Sequence, residues 1–228
     1  YGTDASFYRL IPKIVIKTDN AKEVQDIIEL SHSMNSSITF RAAGTSLSGQ
    51  AISDSILIVT SRNFSKFKIS PDASFISLEP ALTGAQVNGL LARYSKKIGA
   101  DPASINAAMI GGIAANNASG MCCGISQNSY KTLKSMKLIF ADGTKLDTAC
   151  ETSKNEFRKT HGEFLKELKS FSDDTKNNEE LRARIERKFK IKNTCGYSLN
   201  ALIDFEDEFE VLEHLIIGSE GTLAFIEE

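Results

Sequence analysis

The sequence predicts an α+β fold with two lobes: a small N-terminal β-α-β lobe and a larger lobe with a mixed or antiparallel sheet and flanking helices. Two observations favour this class. The N-terminal part alternates apolar runs with one helical pattern, in the order strand, helix, strand. Further along, short strand-like runs become denser and lie between amphipathic helical stretches. A chain of 228 residues can bury a sizeable core as one domain or two small lobes.

The first lobe is expected over residues 1–62. Its strands are predicted at the short apolar runs of residues 12–17, 38–41 and 56–59. Asp19 or Asn20 can cap the helix that follows the first strand. The apolar residues of that helix recur on one face: Val24, Ile27, Ile28 and Met34. This order makes a β-α-β unit.

The second lobe is expected over residues 63–228. Its strands are predicted at residues 64–69, 75–78, 133–141, 145–147 and 222–226. Its helices are predicted at residues 83–94, 155–171, 181–189 and 207–217. The dipeptide Asp142-Gly143 is a turn signal that joins two of these strands as a hairpin. Residues 173–180 are polar and predict a solvated connection between helices.

Composition excludes several classes of protein. The formal net charge of −2 gives no electrostatic basis for binding nucleic acid. No run approaches the roughly 18 apolar residues of a membrane span. The N-terminus has neither a signal peptide nor an initiator methionine, so we expect a fragment. Cysteines without metal-ligand spacing favour reduced thiols in a cytosolic protein: Cys122, Cys123, Cys150 and Cys195.

Two segments rich in small residues are the candidate binding site. Residues 41–50 follow a predicted strand, and their backbone N–H groups can converge on an anion, with Thr45 and Ser46 as further donors. A simple tight turn is the alternative. Residues 101–120 are the second segment, which indicates either a close-packed helix start at Gly111 and Gly112 or a second wall around a large, flat, polar ligand. Two such walls roughly sixty positions apart suit a dinucleotide better than a lone phosphate.

The sequence contains no convincing catalytic constellation. The three histidines have no clustered partner, so a structural role is expected for His32, His161 and His214. The first small-residue segment lacks the G-x-G-x-x-G pattern and the following helix of a Rossmann site. A Walker A loop is absent too. A nucleotide site without its own acid or base indicates that a cofactor performs the chemistry.

Four segments resemble, in order and spacing, the FAD-binding domain (PCMH type) of the vanillyl-alcohol oxidase superfamily. They are residues 41–50, 101–120, 192–199 and 218–223. The resemblance is strongest to the branch that contains glycolate oxidases, D-lactate dehydrogenases and D-2-hydroxyglutarate dehydrogenases. It extends from Asp4 to the last residue and implies one FAD-binding domain over residues 1–228.

The resemblance assigns residues to FAD. The pyrophosphate would be wrapped by Ala42, Ala43, Gly44, Thr45 and Ser46, with Gly49 and Gln50 close by. The isoalloxazine ring and the ribityl chain would be lined by Pro102, Ser104, Met109, Gly111, Gly112, Asn116, Ser119 and Gly120. The adenine or flavin side would be closed by Glu220, Gly221 and Ile226. Lys192, Asn193 and Tyr197 match a motif near the flavin, where Tyr197 either packs or faces the substrate.

The resemblance also implies an activity. Relatives with histidyl-linked flavin have a histidine in place of Thr45, so FAD would be non-covalent. The parent enzyme would oxidise a D-2-hydroxy acid (D-lactate, glycolate or D-2-hydroxyglutarate) to the 2-oxo acid, with hydride transfer to flavin N5. A quinone, an iron–sulfur module or another carrier would accept the electrons. The family's cap domain, which carries most substrate groups and in some members a metal, would be absent, and this fragment would be inactive alone.

Two other functions stay open. The chain could be a non-catalytic FAD-binding module or a subunit that needs a partner. It could also resemble the NADPH-dependent flavin reductases that share this cofactor fold. We expect no metal site in this chain and a cytoplasmic protein, which could associate with the inner membrane through its electron acceptor.

Overall fold

The N-terminal part of the chain folds as a β-α-β unit with a parallel sheet. The structure is a computed structural model that describes residues 1–194 and 196–228. The elements of this part are β1 (Ile14–Thr18), α1 (Ala21–Ser33), β2 (Ile38–Arg41) and β3 (Ile56–Thr60). The strands are parallel, and β3 lies between β1 and β2. The Asn20 side chain accepts a hydrogen bond from the Glu23 backbone N–H at 3.0 Å and thereby caps α1. The predicted β-α-β unit is confirmed.

The middle of the chain contains a small antiparallel pair and three short helices. These elements are β4 (Phe67–Ile69), β5 (Ile76–Leu78), α2 (Gly84–Leu91), α3 (Ile110–Asn116) and α4 (Ser129–Thr132). Thr83 and Gln86 form a reciprocal capping box at the start of α2. The predicted extension of this helix to Tyr94 is a single 3₁₀ turn. Helix α3 begins inside the second small-residue segment.

A second antiparallel sheet forms from strands that are distant in sequence. Its strands are β6 (Lys137–Phe140), β7 (Lys145–Asp147) and the C-terminal β8 (Ala224–Ile226). Strand β6 is the central one, and it pairs with both neighbours. The α+β class is confirmed. Where the sequence suggested one larger sheet, the described residues of the range 63–228 form two small antiparallel sheets.

The helices between β7 and β8 differ from the sequence prediction in several places. They are α5 (Glu151–Thr160), α6 (Gly162–Asn177), α7 (Glu179–Phe189), α8 (Ala201–Asp204) and α9 (Glu208–Ile216). One of them, α8, was not predicted. The single helix predicted over residues 155–171 is wrong, because the chain turns at His161, whose ring stacks on Phe157. The solvated connection predicted at residues 173–180 is also wrong. Helix α6 continues to Asn177 and α7 begins at Glu179, so only Asn178 separates them. The C-terminal part of α6 is held against the protein, because the buried Ser172 hydroxyl donates to the Leu202 carbonyl at 2.6 Å.

One apolar cluster joins the N-terminal β-α-β unit to the sheet of β6, β7 and β8. It contains Val24 and Ile28 of α1, Ile139 of β6 and Phe225 of β8, together with Phe64. A larger cluster packs the helical part against β6 and β7. The loop after β2, helix α3 and the turn before β8 are therefore held at fixed positions beside one another. No helix in the described ranges is both long enough and apolar enough to cross a membrane.

Candidate cofactor site

A cavity of about 1040 Å³ lies among the loop after β2, helix α3 and the turn before β8. The sequence-predicted site residues that line it are Ala42, Ala43, Gly44, Thr45, Ser46, Gln50, Pro102, Ser104, Met109, Gly111, Gly112, Asn116, Ser119, Glu220, Gly221 and Ile226. Its volume is at the upper end of the range for cofactor sites, roughly 300–1,000 Å³. A lone phosphate would leave most of this space empty, whereas a dinucleotide suits it.

The first wall of the cavity is the loop of residues 42–50. It has no helix or strand, and its apex residue Gly44 has a φ of +70°. A side chain in that conformation is strained, so glycine lets the backbone turn here. The loop also lies close to α3, because a Cβ on Gly112 would be in van der Waals contact with the Ala42 Cβ at 3.4 Å. Small residues therefore bring the backbone of two segments close to the same space.

The second wall is both a packed helix start and a lining of the cavity. A Cβ on Gly111 would lie 2.6 Å from the Pro80 Cβ, so this glycine is required for packing. Gly112, one residue on, has ordinary room for a Cβ. The segment can therefore be both a close-packed helix start and a wall of the cavity, because Gly111 packs on Pro80 while Gly112 faces Ala42.

Two predicted site residues lie outside the lining. A Cβ on Gly120 would lie 1.9 Å from the Asp101 carbonyl oxygen, and the Gly120 N–H donates to Asp101 Oδ1 at 3.0 Å. A Cβ on Gly49 would approach the Tyr8 ring at 3.3 Å. Both glycines therefore support the walls through close packing behind them.

The turn before β8 is fastened to α3 by a strained glutamate. Glu220 has a φ of +55°, which is rare for a residue other than glycine. Its N–H donates to the Ala115 carbonyl at 2.8 Å, and its Oε1 accepts from Asn116 Nδ2 at 2.5 Å. Burial raises the pKa of this carboxyl, and the Asn116 hydrogen bond opposes that rise. Glu220 is the one acidic residue among the described residues that line the cavity.

The lining also includes residues to which the sequence assigned no specific contact with FAD, and three of them bear on its charge and shape. Arg41 and Lys192 are the cations of the described lining, and Ala5 reaches it from the N-terminal segment. Lys192 Nζ donates to the Ser119 carbonyl at 2.7 Å, which ties the segment after α7 to the second wall. The motif around Lys192 was a usable signal, whereas nothing in the local sequence indicates Ala5. Tyr197 lies outside the described lining, where its hydroxyl bonds to Thr222 Oγ1 at 2.9 Å.

The three histidines and the described cysteines, Cys122, Cys123 and Cys150, are not among the described lining residues. His214 is buried between aromatic rings, with its Nδ1 2.7 Å from the Glu210 carbonyl, and burial lowers its pKa. Cys122, Cys123 and Cys150 are free, and Cys195 lies outside the described residues. Within residues 1–194 and 196–228, no group of His, Cys, Asp and Glu could hold a metal ion.

The lining fits a large ligand with two anionic groups and a flat ring. The loop provides three side-chain hydroxyls, on Thr45, Ser46 and Ser48, and small residues that let an anion approach its backbone. Arg41 and Lys192 provide positive charge, against the single described carboxyl of Glu220. Small residues leave the second wall open to a flat ring. This set of donors suits the pyrophosphate and the ring system of FAD.

Comparison with known proteins agrees with this geometry. Residues 12–149 match the FAD binding domain family. The whole chain is 27% identical to D-2-hydroxyglutarate dehydrogenase of Escherichia coli K12 and covers 23% of it. Glycolate oxidase subunit GlcD of the same organism is 29% identical over 52% of the chain and 24% of that protein. The chain thus spans about a quarter of the length of these curated relatives.

Solved structures share the fold at low sequence identity. Alkyldihydroxyacetonephosphate synthase superposes with a TM-score of 0.56 and 17% identity, over 93% of this chain and 30% of that chain. For 6-hydroxy-D-nicotine oxidase from Arthrobacter nicotinovorans the TM-score is 0.56 and the identity 14%, over 64% of this chain and 32% of that chain. These likenesses concern the fold alone. Because the family match covers more than half of the chain, the protein belongs to the FAD binding domain family, and its cofactor is FAD.

Proposed function

We propose that residues 1–228 form the FAD-binding domain of an oxidoreductase that oxidises a D-2-hydroxy acid to the 2-oxo acid. Its lobes would be residues 1–62 and 63–228. The cavity of about 1040 Å³, lined by both small-residue segments, is the observation that carries the cofactor part of the proposal. Similarity to D-2-hydroxyglutarate dehydrogenase and glycolate oxidase subunit GlcD supports the substrate class: D-2-hydroxyglutarate, glycolate or D-lactate.

In this proposal each wall binds one part of FAD. The loop of residues 42–46 would hold the pyrophosphate through backbone N–H groups and hydroxyls. The second wall, from Pro102 to Ser119, would hold the flavin ring and the ribityl chain. The turn at Glu220 and Gly221, with Ile226, would close the remaining side. When bound, the flavin would supply the hydride acceptor, while the chain's own residues position it and exclude water.

We further propose that FAD is held without a covalent bond. Thr45 lies in the lining at the position where flavin-linked relatives have histidine, and a threonine hydroxyl cannot form that link. His32, His161 and His214 are not among the described lining residues. The binding energy must then come from hydrogen bonds, charge and shape.

Substrate activation would require groups beyond those described here. Oxidation of a hydroxy acid requires a group that removes the hydroxyl proton and groups that hold the α-carbon close to the acceptor. The one carboxyl of the described lining, Glu220, is already bonded to Asn116. This observation favours a second candidate, a domain that binds FAD and depends on other segments or a partner for turnover.

The test is anaerobic reduction of the FAD-loaded chain. D-lactate, glycolate and D-2-hydroxyglutarate would be added separately, and the flavin absorbance followed, with NADPH in a parallel sample. We expect slow or no bleaching by this chain and faster bleaching by a longer polypeptide that includes the following segments. Rapid reduction by NADPH alone would replace the proposal with a flavin reductase. Equal rates for the chain and the longer polypeptide would place the catalytic groups within residues 1–228.

A further inference from the structure

Arg41 lies at the start of the first cavity wall and bonds to backbone on both sides of it. Its Nη1 donates to the Thr3 carbonyl at 2.8 Å and to the Ala51 carbonyl at 3.1 Å, and it lies 3.5 Å from the Tyr1 carbonyl oxygen. The bond to Ala51 closes the loop of residues 42–50, because it joins the residue before the loop to the residue after it. The same guanidinium lies against the loop apex, where a Cβ on Gly44 would be 2.3 Å from Nη2.

The N-terminal segment forms a strap over this loop, which we define as residues 1–9. The Ala5 N–H donates to the Gly44 carbonyl at 3.0 Å, and Ala5 lines the cavity. A backbone bridge between Thr3 and Arg9 gives the strap its own shape. The strap contributes no residue to the buried apolar clusters. The strap therefore contacts Arg41 and the loop, and it does not pack into the apolar core.

The loop requires such fastening. It has no helix or strand, and its glycines at 44 and 49 have positive φ, so many other conformations are open to it. Ordering it costs conformational entropy unless it is already held in shape. An arginine suits this task, since its planar guanidinium offers several donors in a fixed arrangement and its charge strengthens each hydrogen bond.

We propose that Arg41 is a positioning residue that holds the loop of residues 42–50 in its cofactor-binding shape, by joining the two loop ends to each other and to the strap. This inference rests on the proposed role of the loop in binding the FAD pyrophosphate. Arg41 acts through the loop, and the strap becomes part of the cofactor site.

Asp4 allows the strap to be tested apart from the cavity. It lies in the strap and not in the described lining, and its Oδ1 accepts from the Ser6 N–H at 2.8 Å. Although partial burial acts to raise it, the pKa of Asp4 is lowered by hydrogen bonds from Ser6 and from the Ala51 backbone, and by the nearby charge of Arg41. Replacing this carboxylate should loosen the strap beside Arg41 without touching FAD.

The experiment measures the FAD dissociation constant of the full chain by flavin fluorescence, and the melting temperature of each FAD-free variant. Arg41→Met should weaken FAD binding by roughly tenfold or more. Arg41→Lys, which keeps the charge and loses the planar fork, should also bind more weakly than the parent. Asp4→Ala should weaken binding too, and the double variant should bind no worse than Arg41→Met. The melting temperatures should stay close to that of the parent.

Two matched controls replace the same residue types elsewhere. Arg62→Met removes an exposed arginine, and Asp72→Ala removes an aspartate that accepts from the Ser74 N–H in the turn between β4 and β5. Both should bind FAD as the parent does.

The outcomes separate the inference from the function on which it rests. If the parent chain binds no FAD, the proposed function fails and this inference fails with it. If the parent binds FAD and Arg41→Met binds equally well, only the inference is overturned. Parental affinity in Arg41→Lys would show that charge alone suffices, which also overturns it. If Arg41→Met does not fold, the FAD affinities of Arg41→Lys and Asp4→Ala test the inference instead, and parental affinity in both would overturn it.

Discussion

At the scale of single residues, two glycines of the cavity walls should respond differently to replacement by a larger residue. Gly44 has a φ of +70° in a loop, whereas Gly111 packs on Pro80 inside α3. We predict that Gly44→Val weakens FAD binding by at least tenfold with little loss of global stability. Strain of about 1–2 kcal/mol and the clash with the Arg41 guanidinium would fall on the loop and the strap, which lie outside the buried apolar clusters. Gly111→Val should destabilise the whole fold by about 1–3 kcal/mol, because overpacking affects a buried contact.

Thermal unfolding of the FAD-free variants and an FAD titration measure the two effects separately. The matched control is Gly89→Ala in α2, where an added Cβ would meet nothing within 4 Å. That change should raise stability by about 0.5–1 kcal/mol, as expected for an exposed helix position. Full FAD affinity in Gly44→Val would count against the loop as a binding wall.

Glu213 of α9 gives a prediction about pH. Burial, together with the nearby negative charges of Glu210 and Asp207, raises the pKa of its carboxyl from 4.5 to about 7, although a hydrogen bond from Thr148 and the charge of Lys154 oppose the rise. The folded protein therefore holds this proton more tightly than the unfolded chain does. The resulting stabilisation is fully present below pH 4.5 and is lost as the pH rises through about 7.

In Glu213→Gln the side chain at position 213 is uncharged at every pH, so this variant should not lose stability through that group as the pH rises. Its free energy of unfolding, relative to the parent, should rise between pH 4.5 and about 7 and then level off. We expect a gain on the order of 2 kcal/mol, discounted for the partial solvent access of the carboxyl. Denaturant unfolding across this range measures it, and the neighbouring His214 is present in both proteins. A difference that does not change with pH would contradict the assignment.

At the scale of elements, α2 depends on its cap. Thr83 accepts from the Gln86 N–H at 3.2 Å, and the Gln86 side chain accepts from the Thr83 N–H at 2.8 Å. Thr83→Ala should lower the free energy of unfolding by about 1 kcal/mol, because the Gln86 N–H in the first turn loses its side-chain acceptor. Thr83→Ser keeps the hydroxyl and should lose much less. Chemical denaturation of both variants tests this, and equal losses would assign the effect to the threonine methyl group.

Signals that are local in sequence predicted the elements well. Asn20 and Thr83 begin helices where their side chains can cap them, and β2 has the predicted bounds because Ile38–Arg41 is a short apolar run ending at the loop. The break at His161 was missed because its ring stacks on Phe157 and bonds to Asp142 of the β6–β7 turn, a contact 19 residues away. Tertiary contacts of this kind leave no mark on local periodicity.

The two walls of the candidate site could be predicted from local sequence, whereas the contacts that hold them together could not. Small residues mark both walls directly, because close backbone approach requires them. Arg41 was visible in the first segment, yet its partners Thr3 and Ala51 are backbone carbonyls, which no side-chain pattern reveals. Ala5 enters the cavity only because the strap folds back onto Gly44.

At the scale of the whole molecule, the cavity depends on the contact between the N-terminal unit and the C-terminal strand. The Phe225 ring of β8 lies 5.1 Å from Phe40 and 5.9 Å from Phe64. Phe40 and Phe225 also line the cavity. The walls are therefore parts of one packed structure, and the site requires both ends of the chain to be folded.

The site should release its FAD when the protein is denatured. Because Thr45 offers no ring nitrogen for a covalent link, acid precipitation of the loaded protein should leave all of the yellow chromophore in the supernatant. Chromatography should identify that chromophore as FAD. Flavin retained on the washed pellet would show that another residue forms a covalent bond.

The most direct test of the account is whether this cavity binds FAD. The measurement is a fluorescence titration of the FAD-free chain with FAD, carried out in parallel on Gly112→Leu, whose side chain would extend from α3 towards Ala42. We expect saturable binding of one FAD per chain, and strongly reduced binding by a Gly112→Leu variant that remains folded. No binding by the parent, or equal binding by the folded variant, would show that this cavity is not the FAD site.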